Sequence, residues 1–177
     1  MDKKEKEIIK ILDTAICDSE TKIKIDTIAK RVEMILENNS ELIMAWEPIP
    51  LNIYKTELPD EIKSSWVFVL RKKIISGAER HPNSIQRMMS YKGSGDFQTK
   101  PEAVWNSNFL QSNVESEIEQ RWISIPAGVW HQGIVGDENW VVVSFQTAKV
   151  SELIEERPEE GDENKIHRQK YADKKLG

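Results

Sequence analysis

Pro126-Ala127-Gly128-Val129-Trp130-His131 reads as a tight turn that delivers an imidazole to the start of a strand. Proline presets φ, and glycine takes backbone conformations that other residues avoid. Upstream, His81-Pro82-Asn83-Ser84-Ile85-Gln86 leads through a strand-like stretch to a second turn, Gly93-Ser94-Gly95. The chain has three histidines, and two of them, His81 and His131, stand at these strand-and-turn junctions. The arrangement predicts a β-barrel pocket with polar groups pointing inward.

The β signal runs outward from these two stretches. Ile85, Arg87, Met89 and Tyr91 alternate with Gln86, Met88, Ser90 and Lys92, the period of a strand. Ser65–Ile75 is long enough for one or two strands, and Asp96–Thr99, Arg121–Pro126 and Asn139–Thr147 supply more. Trp140-Val141-Val142-Val143-Ser144-Phe145 suits a pleated, buried surface. Short strands separated by turn signals predict a sandwich or barrel. The polar stretch Lys100–Gln120, with Trp105, Phe109 and Leu110, is expected to be a long loop over one mouth.

The flanks differ. Ile8, Ile9, Leu12, Ala15 and Ile16 share one helical face, and a second helix is expected from Asp26, a good N-cap, to Asn38. Pro48 and Pro50 mark the change to β. No recognition helix follows Leu36, so the pair reads as a helical hairpin rather than a DNA-binding motif. A short helix is expected over Val150–Glu156, and Arg157–Gly177 reads as a charged tail in which His167 is solvated. The expected division is a helical extension over 1–46, a barrel over 47–148, and a short helix with tail over 149–177.

The formal net charge of −5 argues against a nucleic-acid or anionic-membrane partner. No apolar run approaches a membrane span, and the start lacks the apolar core of a signal peptide, so the expected location is cytoplasmic. The single cysteine, Cys17, makes no internal disulfide and is expected to be a small, at least half-buried helix residue.

The motifs resemble those of the cupins, over roughly Trp66 to Thr147. Their usual first motif is H-x-H, four spacers, E, six spacers, G. Here the glycine is Gly93, Gln86 stands at the glutamate position, His81 is the second histidine and Glu79 replaces the first. The second motif, P-x-G-x-x-H, is met in full by Pro126, Gly128 and His131, whereas Val135 stands where an asparagine is usual. The resemblance implies a mostly β fold, the double-stranded β-helix or jelly-roll barrel, with the helical hairpin before it and the charged tail after it.

Strand alternation then puts Glu79 and His81 on one side of an extended segment. With Gln86 facing inward, Met88 and Ser90 line the interior and Arg87 faces out. Glu79, His81, Gln86 and His131 are therefore the expected metal-site residues. Two imidazoles and a carboxylate suit iron, zinc, manganese or nickel. The resemblance implies a small molecule bound in the barrel, with a non-haem dioxygenase as the foremost enzyme reading. A metal-free binding or sensor protein is the alternative, and a sugar isomerase or epimerase using Glu79 with a histidine is a third. Arg80 and Arg87 are expected on the surface or in ion pairs. Trp130, turned away from His131, is expected to pack on the helices or on a second subunit, and a homodimer is the expected assembly.

Overall fold

The computed structural model describes residues 1–159 and 162–174. Helix α1 (Lys3–Cys17) starts where the Asp2 carboxylate accepts from the Glu5 amide at 2.8 Å. Helix α2 (Ser19–Asn38) starts at Asp18, whose carboxylate accepts from the Thr21 amide at 3.0 Å. The second helix thus begins ahead of Asp26. That residue lies within the helix and uses its carboxylate laterally, accepting from the Tyr91 hydroxyl and pairing with Lys92, each at 3.0 Å. Cys17 closes α1 on its exposed side rather than half-buried.

The described strands form two larger antiparallel sheets and a two-stranded ribbon. The first has the order β1 (Met44–Ile49), β2 (Ser64–Leu70), β8 (Trp140–Gln146), β3 (Gln86–Lys92), β6 (Trp122–Ile125). The second is built on β5 (Phe109–Gln111), β4 (Ser94–Lys100) and β7 (Trp130–Val135). Bridges Ile75↔Ile134 and Glu79↔His131 lay the segment after β2 against β7. Bridge Arg80↔Glu156 then joins that segment to the ribbon of β9 (Ile154–Glu159) and β10 (Asp162–Lys170). After β2 the chain passes back and forth between the sheets, the winding of a jelly roll.

Alternation gives the first sheet two buried faces. Trp66, Phe68, Leu70, Met88, Trp140 and Val142 fill the barrel. Val67, Val69, Met89, Tyr91, Val143 and Phe145 pack against the hairpin, in one cluster with Ile9, Leu12, Ile25 and Val32. The hairpin therefore covers the sheet's outer face. Arg87 faces out of the barrel, as alternation predicts, but lies buried beneath α1, where it pairs with Glu5 at 2.6 Å and with Glu61. Asp13 ties α1 to the short helix α3 (Ile118–Arg121) and to β6 by accepting from Arg121 at 2.6 Å and from the Trp122 indole at 2.8 Å. Among the described residues no helix is long and apolar enough to cross a membrane.

The stretches read as loop and tail both carry strands. Within Lys100–Gln120, β5 pairs with β4 and buries Leu110 in the barrel interior. The helix expected at Val150–Glu156 is absent, because Ile154–Glu159 is β9. Of the expected tail, Asp162–Lys170 forms β10, with His167 exposed as expected and Tyr171 buried in the barrel, while 160–161 and 175–177 lie outside the described residues. The division expected at 46/47 falls inside β1, and the segment after 148 completes the second sheet.

Gly95 is where backbone and core meet most closely. A Cβ there would lie 2.4 Å from the Trp140 ring and 2.9 Å from the Ile134 carbonyl. Gly136 has open space around it. Gly95→Ala is expected to lower the unfolding free energy by about 1–3 kcal/mol through overpacking, with Gly136→Ala close to neutral. Urea denaturation of both variants checks this, and equal midpoints would contradict the close approach.

Candidate metal centre

The two turn motifs meet through backbone. Gly128 sits at φ 77°, a conformation open to glycine, and its amide donates to the His81 carbonyl at 2.9 Å. Beyond the turn, Glu79 and His131 exchange both amide bonds of an antiparallel pair, at 2.9 and 2.8 Å. Directly opposed residues present their side chains on the same face. Glu79, His81 and His131 consequently face the interior together, with one potential ligand atom from each lying within 4.8 Å of the others.

The imidazoles are oriented by carbonyls. His81 Nδ1 lies 2.9 Å from the Ile154 carbonyl, and His131 Nδ1 lies 3.0 Å from that of Val129. A carbonyl only accepts, so each Nδ1 carries a proton, and the neutral His81 keeps a lone pair on Nε2. Metal-binding histidines are held in the same way, one ring N–H donated to a carbonyl so that the ring's orientation is fixed. His131 Nε2 is buried and has no hydrogen-bond partner among the described residues; Glu79 Oε1 stands 3.7 Å away. Gln86 also faces inward, and its Oε1 is buried and unpartnered among the described residues. All four residues expected at the site are thus on the barrel interior. Glu79, Gln86 and His131 line one cavity with Phe68, Met88 and Phe97. Its volume of ≈ 20 Å³ is room for one ion or water and excludes a sugar ring in this conformation.

The electrostatics are those of a dry site. Burial, with His131 adding to it, pushes the His81 imidazole down to about 4. Burial alone would raise the Glu79 carboxyl. Arg157, His131 and Lys174 together overcome this and hold it well below the usual carboxylate range. Arg157 bridges Glu79 and Glu155, and Lys174 pairs with Glu155 at 3.0 Å. The Tyr171 ring stands edge-on to Trp46, Trp66, Phe68 and His81, and its buried hydroxyl has no partner among the described residues.

The barrel has the cupin fold. The jelly-roll winding and the meeting of both motifs inside it decide this. No family model matches the chain, and no curated protein matches it. Among solved structures, the capsular polysaccharide assembling protein CapF from Staphylococcus aureus aligns at 14% identity and a TM-score of 0.46, over 59% of this chain and 28% of CapF. KdgF from Halomonas sp. aligns at 9% identity and a TM-score of 0.44, over 63% of this chain and 86% of KdgF. An oxalate oxidase in complex with the substrate analogue glycolate aligns at 18% and 0.45, over 60% and 53%. The chain spans under a third of CapF, the first of these neighbours.

Arg157, Glu155, Tyr171 and Lys174 were not foreseen from sequence. The signals available were the i, i+2 pair Glu155/Arg157 and an isolated tyrosine closing a polar run. Trp130 does turn away from His131, as expected, but not toward the helices, which cover the other sheet. The Arg80 guanidinium lies 4.4 Å from the centre of its ring and pairs with Glu156 at 2.6 Å.

The His81 value has a direct consequence for the metal-free protein. Unfolded, the imidazole titrates near ~6.5. Above that pH both states are neutral and the full stability is present. As pH falls from about 6.5 to about 4, the unfolded chain takes up a proton that the native one refuses, so stability drops. The loss is expected to reach about 3 kcal/mol by pH ~4. Urea midpoints across this range should show it, with a shallower slope for His81→Gln; an unchanged slope would contradict the burial of a neutral imidazole.

Proposed function

We propose that this cupin barrel binds one divalent metal ion through Glu79, His81 and His131, and that a small molecule is bound and transformed at that ion. One observation carries the reading: a carboxylate and two imidazoles, each held at Nδ1 by a carbonyl, converge within 4.8 Å beside an ion-sized cavity that Glu79 and His131 line. Orphaned polar atoms are expensive in a dry interior, and a cation gives the His131 Nε2 and Gln86 Oε1 lone pairs a partner. Gln86 is neutral, so it is an auxiliary oxygen donor or a ligand contact rather than an equal fourth ligand.

Two histidines and one carboxylate with further positions open suit non-haem iron, and a dioxygenase is the reaction class we favour. An ion held there would activate dioxygen or polarise an oxygen of the bound molecule. The chain's own residues do the rest. The carbonyls of Ile154 and Val129 fix both rings, Arg157 keeps Glu79 ionised, and Phe68, Met88 and Phe97 exclude bulk water. A second reading, a metal-free binding or sensor barrel, draws support from Arg157, which already neutralises Glu79 without an ion.

Stripped protein reconstituted with ferrous, zinc, manganous or nickel ions is expected to retain about one ion per chain by elemental analysis. His131→Ala is expected to weaken retention by at least ~100-fold, beyond the usual effect of losing an outer-shell partner. Sub-stoichiometric metal after reconstitution with every ion would reject the metal reading and leave the binding barrel.

A further inference from the structure

A second space adjoins the metal centre. It has a volume of ≈ 310 Å³, shares Met44 and Ser76 with the inner cavity, and is lined also by Trp46, Arg157 and Lys174. The only other charged group on its wall, among the described residues, is Glu41 at the exposed rim. This vestibule reaches the lower size range of small-molecule pockets, which the inner cavity does not.

Charge decides what fits there. Without a metal, two carboxylates, Glu79 and Glu155, face two cations, Arg157 and Lys174, and the cluster is balanced. The Glu155 side chain is fully buried, that of Glu79 is 12% exposed, and those of Lys174 and Arg157 are 18% and 26% exposed. An imidazole that ligates a metal is neutral, so neither histidine adds charge once the ion is bound. A divalent ion on Glu79, His81 and His131 therefore leaves two positive charges uncompensated in a largely dry site. Such an imbalance is costly at low dielectric and is relieved by a counter-anion. The donors to receive one are present. Arg157 spends three of its N–H groups, on Glu79, Glu155 and the Ser76 carbonyl, out of the five a guanidinium carries. Lys174 lies over the Trp46 ring at 4.7 Å with its ammonium toward Glu155.

We propose that the vestibule recognises a small carboxylate, which enters past Lys174, engages Arg157 and reaches the metal with its charged end. The proposal rests on the metal reading above and adds a substrate class to it: a compact organic acid. The inner cavity admits only the head group, and the remainder of the molecule lies against Met44 and Trp46. Without the metal the cluster is already neutral, so the apoprotein has little use for the anion.

Cobalt(II) serves as a spectroscopic stand-in for the native ion, with malonate as the probe and malonamide as its uncharged counterpart. Cobalt uptake by the wild-type chain without malonate tests the metal reading alone, and failure there overturns both. In the cobalt-loaded protein, malonate is expected to shift the visible bands saturably, with malonamide at least ~10-fold weaker. The apoprotein should show no malonate-dependent thermal shift. Arg157→Gln and Lys174→Gln, each loaded with cobalt, should bind malonate ~10-fold or more weakly. Equal response to malonate and malonamide, equal malonate binding with and without cobalt, or unchanged affinity in both variants would overturn the carboxylate assignment while leaving the metal centre standing.

Discussion

Two backbone hydrogen bonds between Glu79 and His131 hold the candidate centre together. They splice the segment after β2 onto β7, and in doing so they close the second sheet toward β9. The same pairing puts the Glu79 and His131 side chains on the inner face, while the amide of Gly128 secures His81 one step along. Barrel closure and donor convergence are thus one event. A register slip of a single residue would leave only one of Glu79 and His131 facing inward and part the carboxylate from the imidazole.

Burial then sets the chemistry. A carboxylate in an apolar barrel would ordinarily take up a proton, yet Glu79 stays ionised because Arg157 reaches it from β9. His81 goes the other way: burial keeps it neutral, and the Ile154 carbonyl, also on β9, fixes which nitrogen bears the proton. The opposed responses of two neighbouring groups produce a charged oxygen beside a neutral imidazole. Together with the unpartnered Nε2 of His131, these groups could hold a cation.

The part of this that could be read from the chain was the part with local, periodic or turn chemistry. The inward order Gln86, Met88, Ser90 follows from strand alternation, and Gly93 and Gly128 both take positive φ at the turns they were assigned. The hairpin's buried face, Ile8, Ile9, Leu12, Ala15 and Ile16, follows from helical spacing. The misreadings share a physical origin. Ile154–Glu159 and Asp162–Lys170 form a strand ribbon whose residues are mainly charged, because its contacts are ionic: Glu155 with Arg157 along β9, Glu156 with Arg168 across the ribbon and with Arg80 beyond it. Hydropathy has no means of distinguishing such a ribbon from a solvated tail. Asp26 has the chemistry of an N-cap but is used sideways, toward Tyr91, a contact visible only once the sheet lies beneath the helix.

The ribbon also explains how a barrel this full can still host a site. Trp46, Trp66 and Phe68 each meet Tyr171 edge to face and leave little more than an ion's room beside His131. Tyr171 is part of that filling, and it arrives from the end of β10, held by its amide to the Leu153 carbonyl at 2.8 Å. The element that supplies Arg157 and orients His81 is therefore the one that takes up the barrel volume. Any ligand larger than a head group is displaced to the mouth, where the exposed sides of Arg157 and Lys174 lie. Shape and charge select together: the interior limits how much of a molecule can approach the donors, and the ribbon's cations favour which end of it does so.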